Sequence, residues 1–210
     1  MRDFKTSLPS AFLPGYHKGT MAYAYKGIAC WKNPIDLAVY LRLLWDLKPG
    51  GVIEIGSNAG GSALWLADTL RAYGLAAPVI SVDLTPPTGV ADTQITFLSG
   101  DVHDLASALS ERLADLPHPW LAIDDSAHTF SACSAALAFF AGAMLSGDML
   151  VVEDGVIDDM GLTETYGGGP NRAVREFLAS NPGIFEIETR YCDMFGPNVT
   201  YNPNGYLRRT

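Results

Sequence analysis

The sequence predicts an α/β fold: a mostly parallel, twisted sheet with helices on both faces and an antiparallel strand pair near the C-terminus. One observation carries most of this. From Val52 onward, short apolar runs of strand type alternate with stretches of helical periodicity. Such alternation imposes right-handed crossovers, and therefore a parallel sheet covered on both sides.

GVIEIG (51–56) reads as a buried strand. It is followed by the helical GGSALWLADTLRAYG, with Leu64, Ala67, Leu70 and Arg71 at helical spacing and Gly74 as its stop. PVISVD (78–83) and ITFLSG (95–100) are the second and third strands, and HDLASALSERLADL (103–116) is helical. WLAID (120–124) is the fourth strand, TFSACSAALAFFAGAML (129–145) an alanine-rich helix that allows close packing, and DMLVVED (148–154) the fifth strand. After Pro170, NRAVREFLAS forms a helix, and IFEIETR (184–190) with NVTYNPNGYLRR (198–209) is the antiparallel pair that closes the sheet edge. The run Gly167–Gly168–Gly169 marks a flexible loop. Residues 1–50 are richer in Tyr, Phe and Gly, with a helix over 33–47 that Asn33 and Pro34 begin well. This segment is expected to pack as a cap on a main domain spanning 51–210.

The chain has 210 residues, enough for one domain with a sizeable core. A net charge of −9 excludes a general nucleic-acid binder, which needs clustered Lys and Arg. Cys30, Cys133 and Cys192 lack CxxC spacing, which fits reduced thiols and neither a disulfide framework nor a zinc knuckle. The N-terminus shows no signal-peptide core, and the longest apolar stretch, near 135–145, is too short to span a bilayer. A soluble cytoplasmic protein without membrane partners is expected.

In an open α/β sheet, ligands bind beyond the carboxyl ends of the strands, where strand order reverses. The first strand runs out through Glu54, Gly56, Ser57, Gly60 and Ser62, where glycines permit a tight turn and close approach of the backbone. No Gly-Lys-Ser/Thr follows and the GxGxxG spacing is absent, so neither a Walker loop nor a dinucleotide fingerprint is present. Asp83 ends the second strand, placed to accept from both hydroxyls of a ribose. Asp101, after the third, could take an adenine amino group. An acidic, glycine-turned pocket with no phosphate-binding lysine suits an unphosphorylated nucleoside, with S-adenosylmethionine the obvious candidate. Turn chemistry alone accounts for any one of these residues, but less readily for all of them on three successive strands.

The fourth and fifth strands deliver Asp125, Glu153 and Asp154 to one edge. Three unpaired carboxylates repel one another strongly. A hard divalent cation with oxygen ligands resolves this, Mg²⁺ ahead of Zn²⁺, with Ca²⁺ or Mn²⁺ sharing the same donors. His128, three residues beyond Asp125, could then take a proton from a metal-bound hydroxyl near neutral pH. Asp124 would face the other way as a supporting or capping group, though the sequence leaves it open as the ligand in place of Asp125. Such acids also serve as helix caps, and a lone histidine is more often structural than catalytic.

KNPIDLAVY (32–40), VIEIGSNAGGSALWLAD (52–68), IDDSAH (123–128), GDMLVVEDG (147–155), GPNRAVREFL (169–178) and NPNGYLRR (202–209) together carry a resemblance. The chain resembles the cephalosporin hydroxylase (CmcI-like) family of S-adenosylmethionine-dependent methyltransferases, whose relatives include macrolide sugar O-methyltransferases. The resemblance implies a Rossmann-like class I methyltransferase fold. It also implies an octahedral Mg²⁺ on Asp125, Glu153 and Asp154, with His128 as base and Asp83, Glu54 and Gly56 at the cofactor. The catechol O-methyltransferase arrangement is similar, with lysine as base. The sugar-modifying relatives carry an extra N-terminal domain that this sequence lacks, so substrate class and any assembly through that domain do not carry over. A homo-oligomer is implied by resemblance alone.

The function expected is Mg²⁺-dependent methylation of a hydroxyl on a small molecule (a natural product, sugar or phenol), with Tyr16, Tyr166 and Asn171 as candidates for the substrate wall. One alternative is a non-haem iron oxygenase, which would need a second well-placed histidine that His17, His103 and His118 do not supply. Another is a non-catalytic nucleoside-binding module of a biosynthetic pathway, which would need neither the acids nor His128.

Overall fold

The computed structural model describes residues 2–210. In chain order the elements are α1 (Leu13–Ala22), β1 (Ala24–Tyr25), β2 (Ile28–Ala29), α2 (Pro34–Leu47), β3 (Gly51–Ile55), α3 (Gly61–Ala72), β4 (Val79–Asp83), β5 (Ile95–Ser99), α4 (Leu105–Leu113), β6 (Trp120–Asp124), α5 (Phe130–Ala143), β7 (Met149–Val152), α6 (Gly169–Ser180), β8 (Phe185–Ile187), α7 (Thr189–Cys192) and β9 (Tyr206–Arg209). Seven strands make one sheet in the order β5-β4-β3-β6-β7-β9-β8, and β1 pairs with β2 in a separate hairpin. The first five strands of the sheet run parallel, and β9 pairs antiparallel with both β7 and β8.

Alternation along each strand sorts the core into two layers. Ile53, Ile55, Ile80 and Val82 join side chains of α4, α5 and α6 on one face. Val52, Val79, Leu121 and Ile123 join those of α2 and α3 on the other. The central strands β3, β6 and β7 are buried along their whole length, which is why they read as continuous apolar runs. At α2, the Asn33 side chain accepts from the Asp36 N–H at 2.9 Å and Pro34 takes the first turn.

Two expectations need correction. The C-terminal pair is shorter than the sequence suggests: only 185–187 and 206–209 are strand, and 189–192 turns into helix. The intervening NVTYNPN is a buried loop, with Asn198 and Asn204 at φ 50° and 57°, outside any strand conformation. In the N-terminal segment, a first helix and a hairpin precede the expected one. Among the described residues, no helix is long and apolar enough to cross a membrane.

Candidate active site

Strand order reverses between β3 and β6, and the carboxyl ends of these strands open into a cavity of about 710 Å³. Gly56 shows how tightly the strand ends meet. It has φ 104°, and a Cβ there would lie 2.0 Å from the Asp125 carbonyl oxygen. Its glycine is thus required by chain packing, while its backbone still lines the cavity. The turn is held by Gly56 N–H donating to Val82 O at 2.8 Å and Asp125 N–H donating to Ile55 O at 2.9 Å.

Along one side of the cavity lie Gly56, Ser57, Asn58, Ser62, Asp83 and Asp101. Asp83 is fixed by N–H groups of Asn58 and Thr85, each at 3.0 Å. Exposed Leu84 forms part of the rim beside it. Glu54 and Gly60 do not line the cavity. Glu54 is wholly buried behind the glycine turn, where its Oε2 accepts from the Ser81 hydroxyl at 2.6 Å. Burial raises its pKa, against the opposing charge of Lys32.

At the other end, Asp125, His128 and Asp154 each offer a ligand atom within 4.8 Å of the others. His128 Nε2 stands 3.7 Å from Asp125 Oδ1 and 3.4 Å from Asp154 Oδ2. The backbone holds both His128 (φ 54°) and Asp154 (φ 59°) left-handed, a conformation that side-chain-bearing residues keep only where surroundings enforce it. Enforcement is visible at Asp154, whose N–H donates to Asn202 Oδ1 at 2.9 Å. The Tyr166 ring meets the imidazole edge-on at 6.2 Å. Asp124 turns away into the interior, 1% exposed, and accepts from the Ser126 hydroxyl at 2.7 Å. Of the two adjacent acids, Asp125 is the one that faces the cavity.

Glu153 sits behind this cluster and does not line the cavity. One of its oxygens accepts from the Tyr40 hydroxyl, the other from Lys32 Nζ at 2.6 Å. Lys32 also pairs with Asp125 Oδ2, so a single buried ammonium joins two carboxylates. Burial, reinforced by the Asp125 charge, raises the Glu153 pKa to about 7. Burial works to lower the Lys32 pKa, but Asp125 and Glu153 outweigh it and hold it well above the ordinary value. Lys32 therefore stays charged and is unsuited to act as a base. Nothing in the periodicity or motifs marks Lys32 or Tyr40; the only signal is their place at the two ends of KNPIDLAVY.

Of the candidate wall residues, only Tyr166 lines the cavity. Tyr16 donates to Asn33 Oδ1 at 2.9 Å and accepts from the Ile35 N–H, so it braces the start of α2. Asn171 is buried and donates to Phe4 O, Gly155 O and Asp158 Oδ2. The remaining wall includes His17 and Thr20 of α1, Met160, Leu162 and Tyr201, with Met21 and Trp31 at the rim. His17 Nδ1 and the Tyr201 hydroxyl are buried polar atoms that no described protein group satisfies.

Two oxygen donors of the acid cluster converge where a hard cation would take them, so the donor set fits Mg²⁺. The cavity runs from the glycine turn to that cluster, and its size lies in the range of cofactor sites. A family model described as Rhamnosyl O-methyltransferase/CmcI matches residues 17–210. The chain belongs to this family. It is an O-methyltransferase. The Rhamnosyl O-methyltransferase of Mycobacterium tuberculosis (strain ATCC 25618 / H37Rv) is 30% identical over 206 residues, covering 92% of this chain and 83% of the relative. That of Mycobacterium leprae (strain TN) is 31% identical over 190 residues, covering 88% and 82%. A CmcI structure with Mg and SAM matches with TM-score 0.70 at 26% identity, covering 90% of this chain and 77% of that one. The class I methyltransferase architecture is common to both chains.

The acid cluster has a consequence for pH. Burial acts to lower the His128 pKa, but the charges of Asp154 and Asp125 outweigh it, so the folded value is raised. Protonated His128 therefore contributes stability that is full below the ordinary value of about 6.5 and fades as pH rises through the higher folded value. In a ¹H–¹³C NMR titration of metal-free protein, His128 is expected to titrate above an ordinary histidine, and Asp154→Asn to bring it down. A wild-type value at or below that of an ordinary histidine would refute the coupling.

Proposed function

We propose that this chain methylates a hydroxyl of a glycosyl group, or of a natural product that carries one. The curated relatives' name supports the sugar, and the wall supports a polyhydroxylated acceptor through its unsatisfied His17 Nδ1 and Tyr201 hydroxyl. The single observation that carries the assignment is the shared cavity. It places Asp83 at one end and Asp125, His128 and Asp154 at the other, so that a nucleoside cofactor and an acceptor would meet between them.

In this reading the cofactor lies along Gly56, Ser57, Ser62, Asp83 and Asp101, with Glu54 and Gly60 supporting the turn from behind. Asp125 and Asp154 would hold Mg²⁺ from the cavity side, and Glu153 would join them from the interior once it lets go of Lys32. When bound, the metal lowers the pKa of a coordinated hydroxyl and the cofactor supplies an electrophilic methyl on its sulfonium. His128 Nε2 takes the acceptor proton, and the left-handed backbone at that residue aims it. Tyr166 packs against the imidazole and fixes its plane. The wall orients the acceptor and excludes water, and positioning of two bound reactants supplies about 7–11 kcal/mol of rate enhancement.

Residues 1–50 serve as a cap on the 51–210 domain, supported by the contributions of His17, Thr20 and Met21 to the wall. A cytoplasmic location is part of the same reading, supported by three buried, unpaired cysteines. So is an assembly of like copies, supported by exposed Leu41 and Trp45 one turn apart on α2.

Calorimetric titration with S-adenosylhomocysteine tests the cofactor end. Micromolar binding by the wild type is expected, weakened about 10–100-fold in Asp83→Ala, the loss of one or two hydrogen bonds to a charged acceptor. Unchanged affinity in the variant would remove Asp83 from the cofactor site. The acceptor end is tested by screening glycosides and phenols with Mg²⁺ for methyl transfer. Turnover of simple phenols only would replace the sugar reading.

A further inference from the structure

Lys32 has no place in the chemistry described above, yet it lies in the middle of it. Its side chain is 7% exposed, its ammonium lies 2.6 Å from Glu153 Oε2, and it pairs with Asp125 Oδ2. Both carboxylates are assigned to the metal, so this inference rests on that assignment. The packing leaves the lysine few alternatives. It directly precedes Asn33, which caps α2, and its own N–H donates to Cys30 O at 2.8 Å. Tyr40, from the second turn of α2, holds the other oxygen of Glu153.

Buried acids gather tightly here. Glu54, Asp124 and Glu153 are each at most 4% exposed, and Asp125 and Asp154 stand beside them. Lys32 is the ammonium that pairs with two of these acids, Asp125 and Glu153, and like charges packed without a counter-charge are costly. An ammonium is, for a carboxylate, a monovalent substitute for a metal ion: it neutralises charge but cannot fix six ligands.

We propose that Lys32 is a built-in counter-cation of the metal site, which keeps the acid cluster assembled without metal and competes with Mg²⁺ for Asp125 and Glu153. Metal arrival then exchanges one cation for another in place of filling a bare cluster of repelling acids. The exchange weakens net metal affinity and makes the folded state independent of metal supply. Removing the lysine separates these two effects, because they move in opposite directions. A lysine with a merely structural role would lower stability and metal affinity together.

The test uses Lys32→Met, which keeps the stem and removes the charge. Mg²⁺ affinity is measured by calorimetry and Tm by scanning with and without the metal. The variant is expected to bind Mg²⁺ at least tenfold more tightly than wild type, to melt lower without metal, and to recover most of that loss in saturating Mg²⁺. Equal or weaker Mg²⁺ binding by a folded variant would overturn the proposal. Should the variant fold only with Mg²⁺, that too supports it. If it folds under neither condition, ¹⁵N-lysine NMR of wild type decides: the Lys32 ammonium resonance is expected to move on Mg²⁺ addition, and an unmoved resonance in metal-saturated protein overturns the idea. Absence of Mg²⁺ binding by wild type itself would instead defeat the assignment of Asp125 and Glu153 to the metal.

Discussion

Replacing His128 with alanine is expected to lower kcat by about 10²–10⁴-fold, the usual worth of a positioned general base, while leaving S-adenosylhomocysteine affinity within about threefold. The geometry allows a second role, that of a metal ligand, because His128 Nε2 belongs to the same tight cluster as the Asp125 and Asp154 oxygens. The two roles separate cleanly. A base removed without disturbing the carboxylates leaves Mg²⁺ affinity intact, whereas a lost ligand lowers it. Turnover by the variant is also expected to recover in part at high pH, where the acceptor hydroxyl ionises without help. Measurement of kcat against pH, with Mg²⁺ affinity by calorimetry, checks both points. Undiminished turnover would remove His128 from the mechanism. A parallel fall in Mg²⁺ affinity would make it a ligand.

The uneven legibility of this site in its sequence has physical causes. Asp83, Asp125 and Asp154 follow apolar strand runs, and a parallel sheet brings successive strand ends to one edge whatever the loops do. Hence acids distant in sequence could be grouped by register alone. Strand position does not reveal which way a side chain goes once the strand has ended. Asp124 and Asp125 are equivalent in composition, and what separates them is the N–H of Asp125 pairing with Ile55 O beside the close packing of Gly56. Glu153 resembles its neighbour Asp154 in sequence, but it points inward to Lys32 and Tyr40, which lie over a hundred residues earlier. Non-local partners of that kind leave no periodic trace.

The C-terminal loop departs from the expected strand for a related reason. Alternating apolar and polar residues in NVTYNPN mimic a strand, yet Asn198, Thr200, Asn202 and Asn204 are all at most 6% exposed. Their amide and hydroxyl groups replace a strand's ladder with side-chain bonds, among them Asn198 and Asn204 donating to Asp3 O, each at 2.8 Å. Arg2 adds a bidentate pair to Asp193 and a bond to Asn204 Oδ1. The chain ends are thereby joined through polar groups, a construction that hydrophobic patterning cannot anticipate.

Asp36 is where this construction concentrates, and Asp36→Ala is expected to lower stability by about 3–6 kcal/mol, from several buried donors left unpaired at about 1–3 kcal/mol each. The carboxylate is 2% exposed. Its Oδ1 accepts from the Thr200 and Tyr206 hydroxyls, and its Oδ2 from Asn33 Nδ2 at 2.5 Å and the Tyr201 N–H at 3.0 Å. One residue of α2 thus secures the helix cap, the loop and the strand β9. In a chain of this size a loss of that order lowers Tm by roughly 10 °C or more. Asp36→Asn keeps the shape and some accepting capacity, so about half the loss is expected. Chemical denaturation of both variants checks the order; a loss below about 1 kcal/mol in the alanine variant would mean that water replaces the carboxylate at little cost. The same bond also sets the backbone of Tyr201, whose ring lines the acceptor wall. Where Asp36→Asn remains folded, it is therefore expected to raise KM for the acceptor more than it lowers kcat, with S-adenosylhomocysteine affinity unchanged. A change confined to kcat would place the effect at the acid cluster and not at the wall.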